Sequence, residues 1–336
     1  MTIDDLARLA GVSKATVSLA LNKDGRIPEA TRKRITDLAD AHGYRPSSVA
    51  KSLRKGATKA IGLMLPDIIN PFFPGILKGV EEVAAQNDFI VIFCNFDENE
   101  AKESVYFEML KDRWVDGIIF SGITGGAEEQ KYVRAFEEKG VPIVFIDRGL
   151  EGHDGNLVQI DNYDAGYRAA TYLIELGHRR IAFVSGPEGI SILRKRKDGY
   201  RKALADHRLE VDESLIIEGD ISSATAVAAV ERILDRPVKP TAIFATSDIV
   251  ALSMQSELQK RGCRVPEDFS ILGFDNLPIT VIVHPTLSTV AQPFVEMGRQ
   301  AMELLLALIQ NKGSQRRKVL FNAEVIERES TRAITS

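Results

Sequence analysis

Apolar positions near the start of the chain recur with the period of an α-helix. On a helical wheel Val17, Ala20 and Leu21 fall on one side of a short predicted helix. The other side carries small or polar residues, namely Lys14, Ala15, Ser18 and Asn22, with Leu19 on its flank. Ser13 precedes the helix and is a good N-cap, because its hydroxyl can accept from free N–H groups of the first turn. The pattern predicts a short helix with two chemically different faces.

A second apolar stripe precedes this helix and completes a helical pair. The stripe consists of Ile3, Leu6, Leu9 and Ala10. Thr2 and Asp5 fit a capping-box-like start, and Gly11 ends the helix and permits a sharp turn. Such a pair is typical of a helix-turn-helix that places its second helix in the DNA major groove. An ordinary helical hairpin has the same pattern.

Two further segments follow before the main body of the chain. Pro28 opens a predicted third helix at its first position, where the missing N–H costs nothing. Ile35, Leu38 and Ala39 form its buried stripe, and Gly43 closes it. Residues 46–56 are basic and long enough for only about two helical turns, which is too short for stability in isolation. On composition alone they fit a flexible linker.

From residue 60 onward, short apolar runs alternate with helical stretches. The predicted strands are Ile61–Leu65, Ile90–Cys94, Gly117–Phe120 and Pro142–Ile146, then Ile181–Val184, Leu215–Ile217, Ala242–Ala245 and Ser270–Gly273. A strand-like segment, residues 317–326, follows near the end of the chain. The predicted helices include Ile76–Gln86, Lys102–Asp112, Ala165–Leu176, Arg194–Ala205, Ala224–Leu234 and Val250–Lys260. Two such runs predict two doubly wound parallel sheets, with ligands outside the carboxyl ends of the strands and between the lobes.

Composition narrows the class of protein. The chain of 336 residues is long enough for two or three domains, and 44% hydrophobic content allows a large core. No apolar run approaches the ~20 residues of a membrane span, and the acidic N-terminus does not resemble a signal peptide. Cys94 and Cys263 lack metal-ligand spacing, so we expect free thiols in a reducing cytoplasm.

Charge is distributed unevenly along the chain. Residues 1–56 carry a net charge of +5, whereas the whole chain carries −4. A basic segment on an otherwise acidic protein is expected if only that segment meets phosphates. A solvated charged face can have the same excess, so the charge supports the DNA interpretation without proving it.

The amino-acid sequence of the chain is similar to those of the lactose repressor family. The N-terminal match runs through Asp5-Leu6-Ala7-Arg8-Leu9-Ala10-Gly11-Val12-Ser13 and Ala15-Thr16-Val17-Ser18. Later matches are Asn70-Pro71-Phe72-Phe73, Asp116-Gly117-Ile118-Ile119, Asp161-Asn162, Gly177-His178-Arg179-Arg180-Ile181, Gly273-Phe274-Asp275-Asn276 and Pro285-Thr286-Leu287-Ser288-Thr289-Val290. The resemblance covers residues 1–328.

The resemblance implies a domain organisation. It consists of a small all-α helix-turn-helix head (residues 1–45), a hinge helix (46–57) and an α/β core (58–336). The core would contain two doubly wound parallel-sheet lobes of the periplasmic-binding-protein type. Lobe 1 would comprise 58–161 and 291–321, and lobe 2 would comprise 162–290 and 322–336.

The resemblance also implies how the head contacts DNA. Lys14 and Ala15 would face bases, while Thr16, Ser18 and Asn22 would position the helix on phosphates. The full set of implied DNA-binding residues is Thr2, Ser13, Lys14, Ala15, Thr16, Ser18, Leu19, Asn22, Tyr44 and Leu53. Leu53, on a hinge that folds only on operator DNA, would wedge between base steps in the minor groove of a pseudo-palindromic site bound by a homodimer.

The residues favour a binding protein over an enzyme. No Gly-x-Gly-x-x-Gly follows the first strand, the glycines at 122, 125 and 126 lack a P-loop lysine, and the five histidines form no metal-ligand cluster. Polar side chains instead follow several strands. The candidate effector-binding residues are Asp67, Asn70, Phe72, Phe73, Asp147, Arg148, Arg194, Arg196, Ile221, Ser247, Asp248 and Asp275. By family position Asp275 and Arg196 rank first, although Asp248 and Asp275 could instead cap helices.

The chain departs from the family pattern at three positions. Ile221 stands where relatives often carry an aromatic that stacks on a ring, and Ser247 replaces a common asparagine. Phe72 and Phe73 could form the apolar wall instead. Leu19 stands where many relatives have Arg or His, and it either meets a thymine methyl or packs on the scaffold.

Together these observations predict a cytoplasmic, dimeric, sequence-specific transcription repressor controlled by a small-molecule effector, a sugar or sugar derivative. We expect no enzymatic activity, no cofactor, no metal site and no membrane contact. Two alternatives stay open at this point: a regulator of the same family controlled by a protein corepressor, and a transport-type sugar-binding protein.

Overall fold

The computed structural model describes residues 1–22, 25–44, 58–111, 115–122, 126–310 and 316–334. The chain divides into two compact units, Met1–Lys59 and Ala60–Ser336. The predicted hinge, including Leu53, lies outside the described residues. Within the described part, none of the helices combines the length and the apolar character that crossing a bilayer requires.

The described part of the N-terminal unit contains three helices around a small apolar core. They are α1 (Ile3–Ala10), α2 (Lys14–Leu21) and α3 (Glu29–Ala41). Thr2 and Asp5 form a reciprocal capping box, and Gly11 adopts the left-handed conformation (φ 63°) that ends α1 and allows the tight turn. Ser13 Oγ accepts from the Thr16 amide at 3.1 Å, so the predicted N-cap of α2 is confirmed.

Two details of this unit differ from the sequence-based prediction. Pro28 is the N-cap residue of α3 and not its first helical residue, and it supplies no side-chain cap. The apolar stripe predicted for α1 includes Leu9, but Leu9 is 54% exposed and Ala7 is buried instead. The core consists of Leu6, Ala7, Ala10, Val17, Ala20, Ile35 and Ala39.

The second unit contains two six-stranded sheets, each flanked by helices. In chain order its first half comprises β1 (Ala60–Leu65), α4 (Phe72–Gln86), β2 (Ile90–Asn95), α5 (Glu100–Lys111), β3 (Gly117–Phe120), α6 (Ala127–Glu138), β4 (Ile143–Ile146) and β5 (Asn156–Ile160). The next part comprises α7 (Asn162–Glu175), β6 (Ile181–Ser185), α8 (Ser191–Asp206), β7 (Ile216–Glu218), α9 (Ser223–Leu234), β8 (Ala242–Ala245), α10 (Asp248–Lys260), β9 (Ser270–Asp275) and β10 (Ser288–Ala291). The last part comprises α11 (Phe294–Gln310), β11 (Lys318–Phe321) and β12 (Glu324–Ile326).

The strands define two lobes. Lobe 1 is the sheet β11-β5-β4-β3-β1-β2, which is parallel throughout, together with the helices packed on it. Lobe 2 is the sheet β12-β10-β9-β8-β6-β7, in which β12 alone runs antiparallel to its neighbour. Central strands such as β1 and β6 are buried along their whole length, because helices cover both faces of a parallel sheet.

Three chain passages connect the two sheets. The chain leaves the lobe 1 sheet after β5, returns to it after β10, and leaves it again between β11 and β12. The passages bring polar residues, such as Asn162 and Gln292, to the junction of the lobes. The predicted domain and lobe limits themselves stay a prediction.

Close helix packing fixes the position of α8 in lobe 2. Gly166 on α7 and Gly199 on α8 lie at the crossing of these helices, where a Cβ on Gly199 would stand 2.2 Å from the Tyr163 carbonyl oxygen. A Cβ on Gly166 would stand 2.3 Å from the Arg196 carbonyl oxygen. Only glycine permits this approach of the two backbones, which holds the middle of α8 against the first turns of α7.

Two predicted strands differ from the structure. Leu215 belongs to a 3₁₀ turn, Glu213–Leu215, that precedes β7, and is not part of the strand. The strand-like segment 317–326 forms two strands, β11 and β12, that belong to different lobes.

Candidate functional site

The exposed face of α2 carries the predicted DNA-reading residues. Lys14, Ala15 and Asn22 are exposed, while Thr16, Ser18 and Leu19 are partly buried. The Lys14 ammonium pairs with the Asp4 carboxylate of α1 and keeps 62% of its side chain exposed. Asn22 caps α2 and donates from Nδ2 to the Ser18 carbonyl at 2.7 Å.

Two further predicted contacts have structural roles in the same unit. Thr2 is tied to Asp5 in the capping box, and Tyr44 is half-buried against the small core. These bonds fix the shape of the head and leave the exposed face of α2 for a partner. The DNA-contact assignments of all these residues stay predictions.

The second candidate site lies where the carboxyl ends of the two sheets meet. Arg196, on α8 of lobe 2, is 3% exposed. It donates from Nε to Asn162 Oδ1 at 2.8 Å and from Nη1 to the Thr246 carbonyl at 2.9 Å. Its guanidinium stacks on Phe274, 3.6 Å from the ring centroid. Three contacts, two hydrogen bonds and one ring contact, therefore fix this cation at the interlobe site.

Two buried aspartates act on Arg196, one from each lobe. Asp147 follows β4 in lobe 1, and Asp275 ends β9 in lobe 2. Burial tends to lower the pKa of Arg196, and negative charge on the two aspartates, Asp275 first, opposes that effect. Burial lowers the pKa of Arg196 to about 10. Both aspartates have positive φ, 61° and 118°, a strained conformation often found at binding sites.

The two aspartates hold their protons more tightly than usual. Burial raises the pKa of Asp275 well above its usual range, the Asp248 charge raises it further, and Arg196 opposes both effects. Burial likewise raises the pKa of Asp147 against the pull of Arg148 and Arg196. Asp275 Oδ1 already accepts from Gln292 Nε2 at 2.7 Å. Hydroxyl donors from a ligand would favour the charged form of both carboxyls.

Arg148 and Arg194 complete the charged lining. Arg148 is buried and makes a bidentate pair with Glu98, at 2.9 and 2.8 Å. Arg194 of lobe 2 reaches Glu151 of lobe 1 at 2.7 Å and thereby joins the two lobes. Arg148 also lies over the Phe73 ring, 5.9 Å from its centroid. The predicted residues Asp147, Arg148, Arg196 and Asp275 thus come together, while Arg194 pairs with Glu151 across the lobes.

Other predicted effector residues are engaged within their own lobes. Asp67 and Asn70 accept from the amides of Ile69 and Phe72, and Ser247 caps α10. The Asp248 carboxylate is fully buried and accepts from Thr289 Oγ1 at 2.6 Å and the Leu277 amide at 2.8 Å. Burial raises the pKa of Asp248 to about 7. These contacts give Asp248 a structural role, while its effector contact stays a prediction.

The apolar walls of the site have different chemistry in the two lobes. Phe72 and Phe73 begin α4 in lobe 1 and are both buried. In lobe 2, Ile221 is half-buried and packs with the aliphatic cluster Ile190, Ile192 and Leu193. Lobe 2 therefore presents aliphatic carbon at position 221, where many relatives carry an aromatic ring.

Sequence reasoning missed the partners that hold the charged residues in place. Asn162 fixes Arg196, Gln292 fixes Asp275, and Glu98 fixes Arg148. Glu98 lies just after β2, so the rule that selected the other strand-end residues could have found it. Asn162 and Gln292 lie at passages between lobes and are far in sequence from their partners.

The structure also contains a buried carboxyl pair in lobe 1. Glu103 of α5 and Glu129 of α6 are both buried, and burial followed by the charge of Glu129 raises the pKa of Glu103 to about 9. In the described part of the chain, no group of three or more His, Cys, Asp or Glu residues is arranged to hold a metal ion.

Comparisons with known proteins agree with this arrangement. Residues 2–47 match the family model "Bacterial regulatory proteins, lacI family", and residues 170–331 match "Periplasmic binding protein-like domain". The chain is 35% identical to the HTH-type transcriptional repressor PurR of Vibrio atlanticus over 99% of both chains.

Solved structures give the same result for the fold. A complex of the transcriptional regulator CelR with cellobiose superposes with a TM-score of 0.75 and 29% identity, covering 98% of this chain and 99% of that one. A LacI family regulator from Enterococcus faecium with bound ribose has a TM-score of 0.75 and 27% identity, covering 82% of this chain and 100% of that one.

Proposed function

Because this chain belongs to the lacI family of bacterial regulatory proteins, we propose that it represses transcription from a DNA site through α2, under the control of a small molecule. The observation that carries the proposal is the pairing of two sites in one chain. The head exposes a capped helix after a left-handed glycine turn, and the core gathers buried charges from two lobes at one point. A repressor acts on DNA, so we place its activity in the cytoplasm.

A sugar or sugar derivative is the proposed effector. Arg196, Asp147 and Asp275 offer donors and acceptors suited to hydroxyl groups, and Phe72 and Phe73 lie at the lobe 1 side of the site. Two structural neighbours support this class, because one was solved with cellobiose and the other with ribose.

The proposed switch couples the lobes to the hinge. Effector contacts with both lobes would change the angle between them and so alter the spacing of two hinge segments in a homodimer. A homodimer would bind a pseudo-palindromic operator, with Leu53 of each hinge inserted into the minor groove. Coupled folding and binding of the hinge would make operator affinity sensitive to lobe geometry.

The experiment is a footprinting and gel-shift assay of the full chain on the DNA upstream of its own gene and on fragments selected from random sequence. We expect one pseudo-palindromic site, lower affinity on scrambled DNA, and loss of the site in a Leu53→Ala variant that keeps non-specific binding. Equal affinity for all sequences would overturn the repressor proposal. Equal operator affinity for Leu53→Ala and the parent would overturn the hinge role alone.

A further inference from the structure

The cations of the interlobe site are already neutralised by the chain's own carboxylates. Both Nη atoms of Arg148 are used by the two oxygens of Glu98, and Arg194 is paired with Glu151. Lys197, one residue after Arg196, is buried between Glu188 at 2.9 Å and Glu218 at 2.6 Å. A ligand anion would have to displace one of these carboxylates to gain a partner.

Arg196 is the best-placed cation, and its surroundings are also acidic. Asn162, the Thr246 carbonyl and the Phe274 ring fix its orientation, and the charges of Asp275 and Asp147 act on it from both lobes. An anion brought to Arg196 would approach two carboxyl groups as well. Burial already raises the pKa of both carboxyl groups, and a nearby anion would disfavour their charged forms further.

The same carboxyl groups suit uncharged hydroxyl donors. Asp147 and Asp275 have fixed backbone geometry, and a buried carboxylate is stabilised by hydrogen bonds from hydroxyl groups. A polyhydroxylated ligand would offer donors to Asp147 and Asp275 and an acceptor to Arg196 without bringing a charge of its own.

A flat aromatic base fits this site poorly. To stack on a base, lobe 2 would need an exposed aromatic ring face. The Arg196 guanidinium covers the Phe274 ring, and Ile221 belongs to an aliphatic cluster. Phe72 and Phe73 supply aromatic carbon on the lobe 1 side, where their rings meet edge to face with 5.1 Å between centroids, so they offer a base at most one stacking face.

We infer that the effector is an uncharged polyhydroxylated sugar, and that its phosphate monoester and free purine bases are rejected. This inference rests on the proposed effector site of the repressor and narrows its ligand class. The rejection of phosphate is built into the lining by the three paired cations Arg148, Arg194 and Lys197 and by the two aspartates beside Arg196.

The test uses matched ligands on the full chain. Glucose, ribose and cellobiose are each compared with a terminal phosphate monoester of the same sugar, alongside hypoxanthine, by thermal shift and then by calorimetry. We expect at least one uncharged sugar to raise Tm, and its phosphate ester to bind at least about tenfold more weakly. Tighter binding of a phosphate ester or of hypoxanthine, or no stabilisation by any uncharged sugar, overturns the inference.

A charge variant gives a second, independent readout. Glu98→Gln removes the carboxylate that neutralises Arg148 and keeps the size of the side chain, so the phosphate ester should gain at least about tenfold in affinity. The control is Glu82→Gln, which breaks an arginine–carboxylate pair with Arg299, at 2.7 Å, between two helices of lobe 1. Equal discrimination against the ester in Glu98→Gln and Glu82→Gln would mean that pairing of Arg148 does not cause the rejection.

Gel shifts with operator DNA separate the inference from the proposed function. If the chain binds a specific site but prefers phosphate esters, only the ligand class is wrong. If it binds no specific DNA while uncharged sugars raise Tm, the ligand class stands and the repressor function is wrong.

Discussion

At the scale of single residues, the charged side chains that sequence reasoning selected are held by partners that it could not select. Asp275 follows from its position at a strand end and Arg196 from the family resemblance, but their orientation depends on Asn162 and Gln292. These partners lie 34 and 17 residues away in sequence. A pattern of spacing identifies which residues reach an edge of a sheet, whereas hydrogen-bond partners depend on how the lobes pack.

The effect of burial on the pKa of Glu103 can be tested without any ligand, through the stability of the protein. Burial raises its pKa from 4.5 to about 9, so the folded protein retains a proton that the unfolded chain releases. The free energy of unfolding should therefore fall as pH rises from about 5 to about 9, by up to ~1.4 kcal/mol per pH unit from this group. Glu103→Gln should remove this dependence of the free energy of unfolding on pH. Urea unfolding at about pH 6 and at about pH 8.5, two values inside this interval, measures the difference.

The control for this measurement is Glu128→Gln on α6, whose side chain is 69% exposed and pairs with Lys131. It should keep the slope of the parent protein. Equal slopes for the parent and Glu103→Gln would show that Glu103 is ionised in the folded protein.

Lys14 is the residue for which a base contact can be distinguished from a phosphate contact. Its exposed ammonium pairs only loosely with Asp4, because both side chains are about half or more exposed and such pairs are worth less than ~1 kcal/mol. Lys14→Ala should lower operator affinity by about 1–3 kcal/mol and relax base preference at one position per half-site. Binding-site selection followed by titration measures both effects.

Asp4→Asn is the matched variant, because it frees Lys14 without removing it. We expect it to bind the operator at least as tightly as the parent and with the same base preference. If Lys14→Ala weakens binding to all sequences equally, Lys14 contacts phosphate and its assigned role is wrong.

At the scale of elements, apolar periodicity predicted the buried strands and the capped helices. β3 and β8 match their predicted limits, because an apolar run bounded by polar turns has one reasonable assignment. The segment 317–326 was different, since a continuous strand-like pattern contains no information about which sheet each half joins. Tertiary pairing divides it between β5 and β10.

The crossing of α7 and α8 links an element to the site. Gly199→Ala would place a Cβ 2.2 Å from the Tyr163 carbonyl oxygen, and backbone atoms cannot yield as a flexible side chain can. Overpacking should cost about 1–3 kcal/mol of stability and outweigh the better helix propensity of alanine. Because Arg196 and Asn162 lie at this crossing, effector affinity should fall as well.

Gly189→Ala is the control for this variant, because a Cβ there has no other atom within 4 Å. Urea unfolding should show a loss of stability for Gly199→Ala and almost none for Gly189→Ala. Equal stability of the two variants would mean that the helices can separate without cost.

At the scale of the whole molecule, the proposed switch requires two copies of the chain. The 3₁₀ turn Pro278–Val281 and the next residue expose three large apolar side chains, Ile279, Val281 and Ile282, the last of them 79% exposed. Clustered exposed apolar residues often mark contact surfaces between proteins. We therefore predict that this segment contributes to the proposed dimer interface, which would connect lobe 2 of one copy to its partner.

Replacement of Ile282 by aspartate tests this assignment and the dimer together. A charge in an apolar interface loses its hydration without gaining a partner, so Ile282→Asp should shift the protein towards the monomer in analytical ultracentrifugation. A monomer holds only one head on the operator, and gel shifts should then show a large loss of specific affinity while sugar binding by calorimetry is unchanged. Val238→Asp is the control, because Val238 is also an exposed apolar residue, 61% accessible, but lies in the turn before β8. If both variants remain dimers, the segment 278–282 is not the interface. If the parent protein itself sediments as a monomer, single heads must bind the operator, and the proposed switch through paired hinges is wrong.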